Sequence, residues 1–292
     1  MSTRVAIVAN ARVGAELSGG TQDASRIFAL LTRNDLGCCD ARRSRLLANC
    51  ESRTVFQGAV LEAIEGWNPE DQLVVYFSGH GEVRNGRYVL VFGDREATAL
   101  PFDALMADLQ ASHVRRAILI LDACFSGAAL TPGQKSLAQA PPLPDEIPQG
   151  IAMLASSRPK EKSYELEDGS ASLFTSLLAS SIESGLSGRR TPNGLISVAD
   201  SIDYINDRMK SEAYAHIPQV PVYRIHGADR DIWIARNPSG DSTIAEPPEA
   251  PPPADGPTRT LEELRFLYEI TTDARRPCPG AAIDDLDRAL IA

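Results

Sequence analysis

The sequence predicts an α/β domain built on a mainly parallel sheet with helices on both faces. Three observations carry that expectation. Leu73–Phe77 and Ala117–Leu121 are short apolar runs bounded by turn residues, as strands buried on both faces are. Runs of this kind alternate along the chain with stretches of helical spacing. With 43% hydrophobic residues in 292, the chain can fill one core of about 230 residues and leave a small remainder.

Arg4–Ala9 reads as the first strand, and Ser25–Thr32, with Ile27, Leu30 and Leu31 at helical spacing, as the first helix. Thr54–Gly66 makes the second helix and leads through Asn68-Pro69 to the strand Leu73–Phe77. Tyr88–Phe92 reads as a short β-ribbon, Phe102–Ser112 as a helix and Ala117–Leu121 as the next strand. The stretch 131–149, rich in Pro, Gly, Gln and Ser, reads as an exposed loop before the apolar run Ile151–Leu154. Ser172–Ser181 and Val198–Lys210 are expected helices, and Val220–Ile225 and Asp231–Ala235 the last strands. Pro218 and Pro221 suit an edge strand or a strand start. From Asn237 the composition turns to proline, which divides the chain into a domain at 1–236, a stiff linker at 237–258 and a short helical segment at 259–292. That last segment is too short to bury a core alone, so it is expected to dock on a partner or on the domain.

Each of the two central runs opens onto reactive groups. Leu73–Phe77 continues into Ser78-Gly79-His80-Gly81, and Ala117–Leu121 into Asp122-Ala123-Cys124-Phe125-Ser126-Gly127. The carboxyl edge of a parallel sheet is where ligands bind, so a histidine and a cysteine delivered there by two strands can meet. A neighbouring imidazole turns a weakly ionised thiol into a nucleophile. The glycines leave room for a substrate chain and for backbone N–H groups to face it.

The pair of motifs resembles the His and Cys motifs of caspase-like cysteine peptidases, above all metacaspases, paracaspases and their bacterial relatives. The 44 residues from His80 to Cys124 compare with about 50 in caspases. The resemblance spans roughly residues 3–236 and implies the caspase-like sheet sandwiched by helices. It also implies Cys124 as nucleophile, His80 as proton-transfer partner, and the backbone N–H groups of Gly81 and Cys124 as oxyanion donors. Relatives often carry His directly after the nucleophile, where this chain has Phe125.

Strand alternation puts the side chains of Asp122 and Cys124 on one side of the strand end. Asp23, just before the expected first helix, resembles the metacaspase Asp that helps line the primary specificity pocket; the residue also suits an early helical turn. Together the two carboxylates predict cleavage after Arg or Lys, with Arg favoured by its planar guanidinium. Ser156 is implied on the pocket's other wall. Lys135 is the one basic residue in the 131–149 loop and a candidate processing site, with Arg158 and Arg190 as alternatives. The resemblance further implies a zymogen acting in a bacterial stress or antiphage response.

A net charge of −10 argues against nucleic acid or an anionic membrane as partner and suits basic protein substrates. No run approaches the roughly 20 apolar residues of a membrane span. Five cysteines and no secretory signal at Met1–Asn10 predict free thiols and a cytoplasmic location. Cys38-Cys39 and Cys50 lack zinc-motif spacing, so no metal or cofactor is expected, and a calcium requirement is left open. The expected partners are proteins with exposed Arg or Lys, and an activating protease or adaptor reached through 259–292. The alternative reading is a catalytically silent interaction module of the same fold.

Overall fold

The computed structural model describes residues 2–12, 18–93, 98–123, 150–156, 171–186, 191–211, 214, 217, 219–226 and 232–239. All lie in one compact unit, Met1–Ile244; a second unit, Ala245–Ala292, is outside the described residues. The elements run β1 (Arg4–Ala11), α1 (Ser18–Thr32), β2 (Arg45–Cys50), α2 (Arg53–Ala63), β3 (Gln72–Arg84), β4 (Arg87–Val91), β5 (Ala99–Pro101), α3 (Phe102–Ala111) and β6 (Ala117–Ala123). There follow β7 (Ile151–Ala155), α4 (Leu173–Glu183), β8 (Leu195–Ile196), α5 (Val198–Met209), β9 (Val222–His226) and β10 (Ala235–Arg236).

The main sheet has the order β2-β1-β3-β6-β7-β9 and is parallel except for β9, which runs antiparallel to β7. The alternation of side chains along its strands explains why the central runs are apolar throughout. Val5, Ile7, Val75, Phe77 and Leu119 face α2 and α3, packing with Phe56, Val60, Leu105 and Leu109. Ala6, Val8, Val74, Tyr76 and Ile120 face α1, α4 and α5, packing with Ile27, Leu31, Phe174 and Ile205. Each of the large side chains so buried stabilises the fold by about 1.5–3 kcal/mol before entropy is counted. Serine hydroxyls start three of the helices: Ser52 for α2, Ser172 for α4, and Ser197 for α5 in a reciprocal capping box with Asp200.

The mainly parallel sheet with flanking helices is thus present, with four local differences from the sequence reading. Helix α1 begins at Ser18, seven residues before Ser25, so Asp23 lies inside the helix and not in its first turn. Strand β2 carries only the three-residue apolar stretch Leu46-Leu47-Ala48, as suits a half-exposed edge strand, and the sequence reading did not assign it. Strand β3 does not end at Phe77. Its last part, His80–Arg84, leaves the parallel sheet and pairs antiparallel with β4, which pairs in turn with β5. The segment expected as a final strand at 231–235 contributes only Ala235–Arg236, paired with β8 in a separate two-stranded sheet.

That segment instead closes the amino edge of the main sheet. Arg4, at the start of β1 and 7% exposed, donates to the carbonyls of Gly37, Trp233 (2.7 Å) and Ile234 (3.0 Å). Its guanidinium stacks 3.5 Å from the Trp233 ring centroid. Gln72, at the start of β3, donates to the Trp233 carbonyl at 2.8 Å, and Arg236 N–H bonds the Leu36 carbonyl at 2.9 Å. Burial lowers the Arg4 pKa to about 10, and burial of the nearby Cys39 thiol pushes its pKa up to about 11.

Candidate active site

At the opposite, carboxyl edge the apolar face that carries Val8, Tyr76 and Ile120 turns polar in a single step. Asn10 pairs with Ser78, and Ser78 with Asp122, across three adjacent strands. All three are buried. Buried polar groups need partners, and these have them. Asn10 Oδ1 accepts the Asn49 N–H at 3.0 Å, while Asp122 Oδ2 accepts the Thr175 hydroxyl at 2.6 Å. The Tyr76 hydroxyl lies 2.7 Å from the same Thr175 oxygen.

Asp23 reaches the same place from α1, where its Oδ2 accepts the Ser172 N–H at 2.7 Å. Ser172 caps α4 and Thr175 is the third residue of that helix, so both carboxylates converge on one helix's first turn. The partial positive charge of a helix start favours them there. The Tyr76 phenol is pushed well above its ordinary range, first by burial and then by the charges of Asp122 and Asp23.

His80 stands where β3 changes partners. Gly79, opposite Ala123 of β6, is the last parallel pair, and His80, opposite Val91 of β4, is the first antiparallel one. A Cβ on Gly79 would lie 3.0 Å from the Ala11 Cβ and 3.2 Å from Phe77 Cζ, and its φ of +154° is one that residues with a side chain rarely adopt, so glycine is favoured where the strand makes this change. Gly81 is buried opposite Leu90. Along the same strand Glu82 accepts from Arg84 Nε at 2.7 Å, and that bond, ahead of the Arg84 and His80 charges, holds its carboxyl below the usual range.

Ser156, the residue after β7, is fully buried; its carbonyl accepts Gln219 Nε2 at 2.7 Å, and its hydroxyl donates to the Ala123 carbonyl at 3.4 Å. The end of β6, the end of β7 and the segment before β9 are thereby tied together beside the Gly79–Ala123 pair.

The caspase-domain family model matches residues 3–227, more than three-quarters of the chain. The chain belongs to the caspase-domain family. Among solved structures it is similar in fold to caspase-1 from Spodoptera frugiperda, at 14% identity and a TM-score of 0.52, over 77% of this chain and 86% of that one. The search of curated proteins found no match. The family assignment supports a cysteine protease of caspase type.

Within this caspase domain the sequence reading and the geometry meet unevenly. His80, Gly81, Asp122, Asp23 and Ser156 are described; His80 and Gly81 lie just beyond the parallel part of β3, Asp122 at the carboxyl end of β6 and Ser156 just beyond that of β7. Cys124, one peptide bond beyond Ala123, lies outside the described residues, as do Lys135, Arg158 and Arg190. Asp122 and Asp23 converge, as a shared pocket requires, but through Thr175 and Ser172 of α4, which the sequence did not single out. A tyrosine inside an apolar run and a threonine early in a helix carry no signal of their own. Among the described residues no cluster of His, Cys, Asp or Glu could hold a metal, and no helix is long and apolar enough to cross a membrane.

Proposed function

We propose that this chain is a cysteine endopeptidase that cleaves after Arg or Lys, with Cys124 as nucleophile and His80 as its proton-transfer partner. The observation that carries the reading is the strand register. Gly79 and Ala123 face each other on adjacent parallel strands, and His80 and Cys124 are the residues that follow them in sequence. The Cys124 thiolate adds to the scissile carbonyl carbon while backbone N–H groups, among them those of Gly81 and Cys124, stabilise the oxyanion. The C–N bond then breaks as the His80 imidazolium protonates the leaving amine. Water, deprotonated by His80, attacks the thioester, releasing the new carboxylate and restoring the thiol.

Specificity for a cation is supported by the meeting of Asp122 and Asp23 at one helix start, next to the strand end that leads to Cys124. The buried Ser156 beside Ala123 fits a wall of the same pocket. An enzyme with this preference can process itself at Lys135, Arg158 or Arg190, which makes a zymogen of the full chain. A second protease or an adaptor acting through 259–292 is the other route to activation, and a bacterial stress or antiphage response is the setting the family resemblance suggests.

The test is turnover of matched fluorogenic peptides ending in Arg, Lys, Asp or Ala, before and after limited nicking by trypsin. Arg and Lys peptides are expected to be cut and the other two spared, with all turnover lost in Cys124→Ala. Asp122→Asn is expected to raise KM for Arg peptides at least tenfold, the order of one charge-assisted contact. Turnover of Asp peptides in place of Arg, or silence of both intact and nicked protein, overturns the proposal.

A further inference from the structure

The Asp122 carboxylate has a support whose direction can be worked out atom by atom. Thr175 Oγ1 donates to Asp122 Oδ2 at 2.6 Å and lies 2.7 Å from the Tyr76 hydroxyl. A threonine hydroxyl has one proton. Because that proton goes to the carboxylate, the bond between the two hydroxyls must run from Tyr76 to Thr175. Tyr76 and Thr175 are 0% exposed and Asp122 is 4% exposed, so water does not compete for these positions.

The three groups also come from three rigid elements, β3, α4 and β6. The phenol keeps its proton under all ordinary conditions, since burial and the two neighbouring carboxylates oppose its ionisation. The chain of donors therefore holds one carboxylate oxygen in a fixed direction and with it the plane of the whole group. A guanidinium docks on a carboxylate in plane, so the angle of that plane matters as much as its charge.

We propose that Tyr76 and Thr175 are positioning residues for the substrate's cationic side chain, holding the Asp122 carboxylate at the angle that a guanidinium requires. The inference rests on the reading of Asp122 as a pocket carboxylate. A chain that merely fastened α4 to the sheet would show itself in stability alone, whereas a positioning chain shows itself in binding.

The experiment uses the full chain carrying Thr175→Val, Thr175→Ser or Tyr76→Phe. It measures kcat and KM for Arg and Lys peptides, melting temperature, and calorimetric binding of benzamidine, a mimic of the arginine side chain, to the same variants in a Cys124→Ala background. Thr175→Val is expected to raise KM for the Arg peptide and Kd for benzamidine about tenfold, with kcat within about twofold. Thr175→Ser, which restores the hydroxyl, returns both to within about twofold of wild type, and Tyr76→Phe raises them about threefold. Should Thr175→Val fail to fold, Tyr76→Phe carries the same test. Unchanged KM and Kd in the folded variants, beside a lowered melting temperature, overturn the inference while leaving the pocket intact. A wild-type protein that neither cuts Arg peptides nor binds benzamidine removes the pocket reading and this inference with it.

Discussion

At the amino ends of β1 and β3 the buried charges are a cation, Arg4, and the Asp71 carboxylate, which accepts the Thr3 N–H at 2.6 Å; at the carboxyl ends they are two carboxylates, those of Asp122 and Asp23. Arg4 is enclosed by carbonyls of Gly37, Trp233 and Ile234 and by the face of the Trp233 ring, so its surroundings come from segments more than 30 and more than 220 residues away. The carboxylates are held by the first turn of α4, beside the point where β3 bends away from the sheet. One edge is a fastener that closes the fold. The other pairs polar groups with a change of strand partner, which opens the sheet at the place where chemistry is proposed. Parallel strands make this division natural, since all their amino ends meet on one side and all their carboxyl ends on the other.

The sharpest way to break the comparison is to remove one group from each edge. His80→Ala is expected to lower kcat/KM for Arg peptides by about three orders of magnitude while leaving the melting temperature within a degree or so. Arg4→Met is expected to do the reverse. It removes the Arg4 donor from three carbonyls, of which that of Trp233 keeps Gln72, and costs about 2–3 kcal/mol of stability, with kcat/KM per folded molecule unchanged. Denaturant midpoints and activity measured on the same preparations check both. A catalytic loss from Arg4→Met in fully folded protein would show that the two edges are coupled.

A finer contrast uses one glycine at each edge. Gly150, just before β7 at the amino edge, has φ +90°, and a Cβ there would fall 1.7 Å from the Arg115 carbonyl oxygen. Gly150→Ala is therefore expected to cost more than about 3 kcal/mol, because backbone has to move. The Cβ of Gly79→Ala meets the Ala11 Cβ at 3.0 Å and Phe77 Cζ at 3.2 Å, with the nearest backbone atom, the Ala11 nitrogen, at 3.4 Å. That variant should lose about 1–2 kcal/mol but more than tenfold in kcat/KM, since the shift passes directly to His80. Thermal unfolding with parallel kinetics decides the matter; equal activity losses per folded molecule would erase the distinction.

What the sequence made legible follows the same geography. The central strands could be read because Val74, Tyr76, Ile118 and Ile120 must be apolar on one face while Val75, Phe77 and Leu119 must be apolar on the other. The edge strand β2, Arg45–Cys50, lacks that requirement, and its apolar stretch Leu46-Leu47-Ala48 is too short to stand out. His80 was identifiable by its glycines, yet those glycines suggested a loop. Gly79 in fact lets one strand pass from a parallel to an antiparallel partner. Asp122 was singled out by its place at a strand end and Asp23 by the family resemblance, but their shared support was not, because Thr175 joins β6 to α4 across 53 residues and no local pattern encodes such a contact. Likewise Trp233 and Ile234 read as strand, since nothing in their own neighbourhood announces an arginine at the far end of the chain.

The smallest expected effect concerns Cys39, which lies beside Arg4 at the amino edge. Its folded pKa of about 11 exceeds the ordinary thiol value of 9.0, chiefly because burial penalises the thiolate. Between those values the folded protein keeps a proton that the unfolded chain has lost. The unfolded state then binds fewer protons, so stability falls as pH rises. This contribution is complete below about pH 9 and is lost as pH climbs towards 11. Arg4 has the opposite sign, because its lowered pKa of about 10 makes the folded state the first to lose its proton, but that gain begins only as pH approaches 10. Between pH 8 and 10 the thiol acts nearly alone, and the difference in unfolding free energy between wild type and Cys39→Ala should shrink by about 1 kcal/mol. Urea midpoints at half-unit intervals would show it. A constant difference across that range would mean that the thiolate is tolerated beside Arg4, and that the amino edge accommodates a buried charge pair as readily as the carboxyl edge holds its carboxylates.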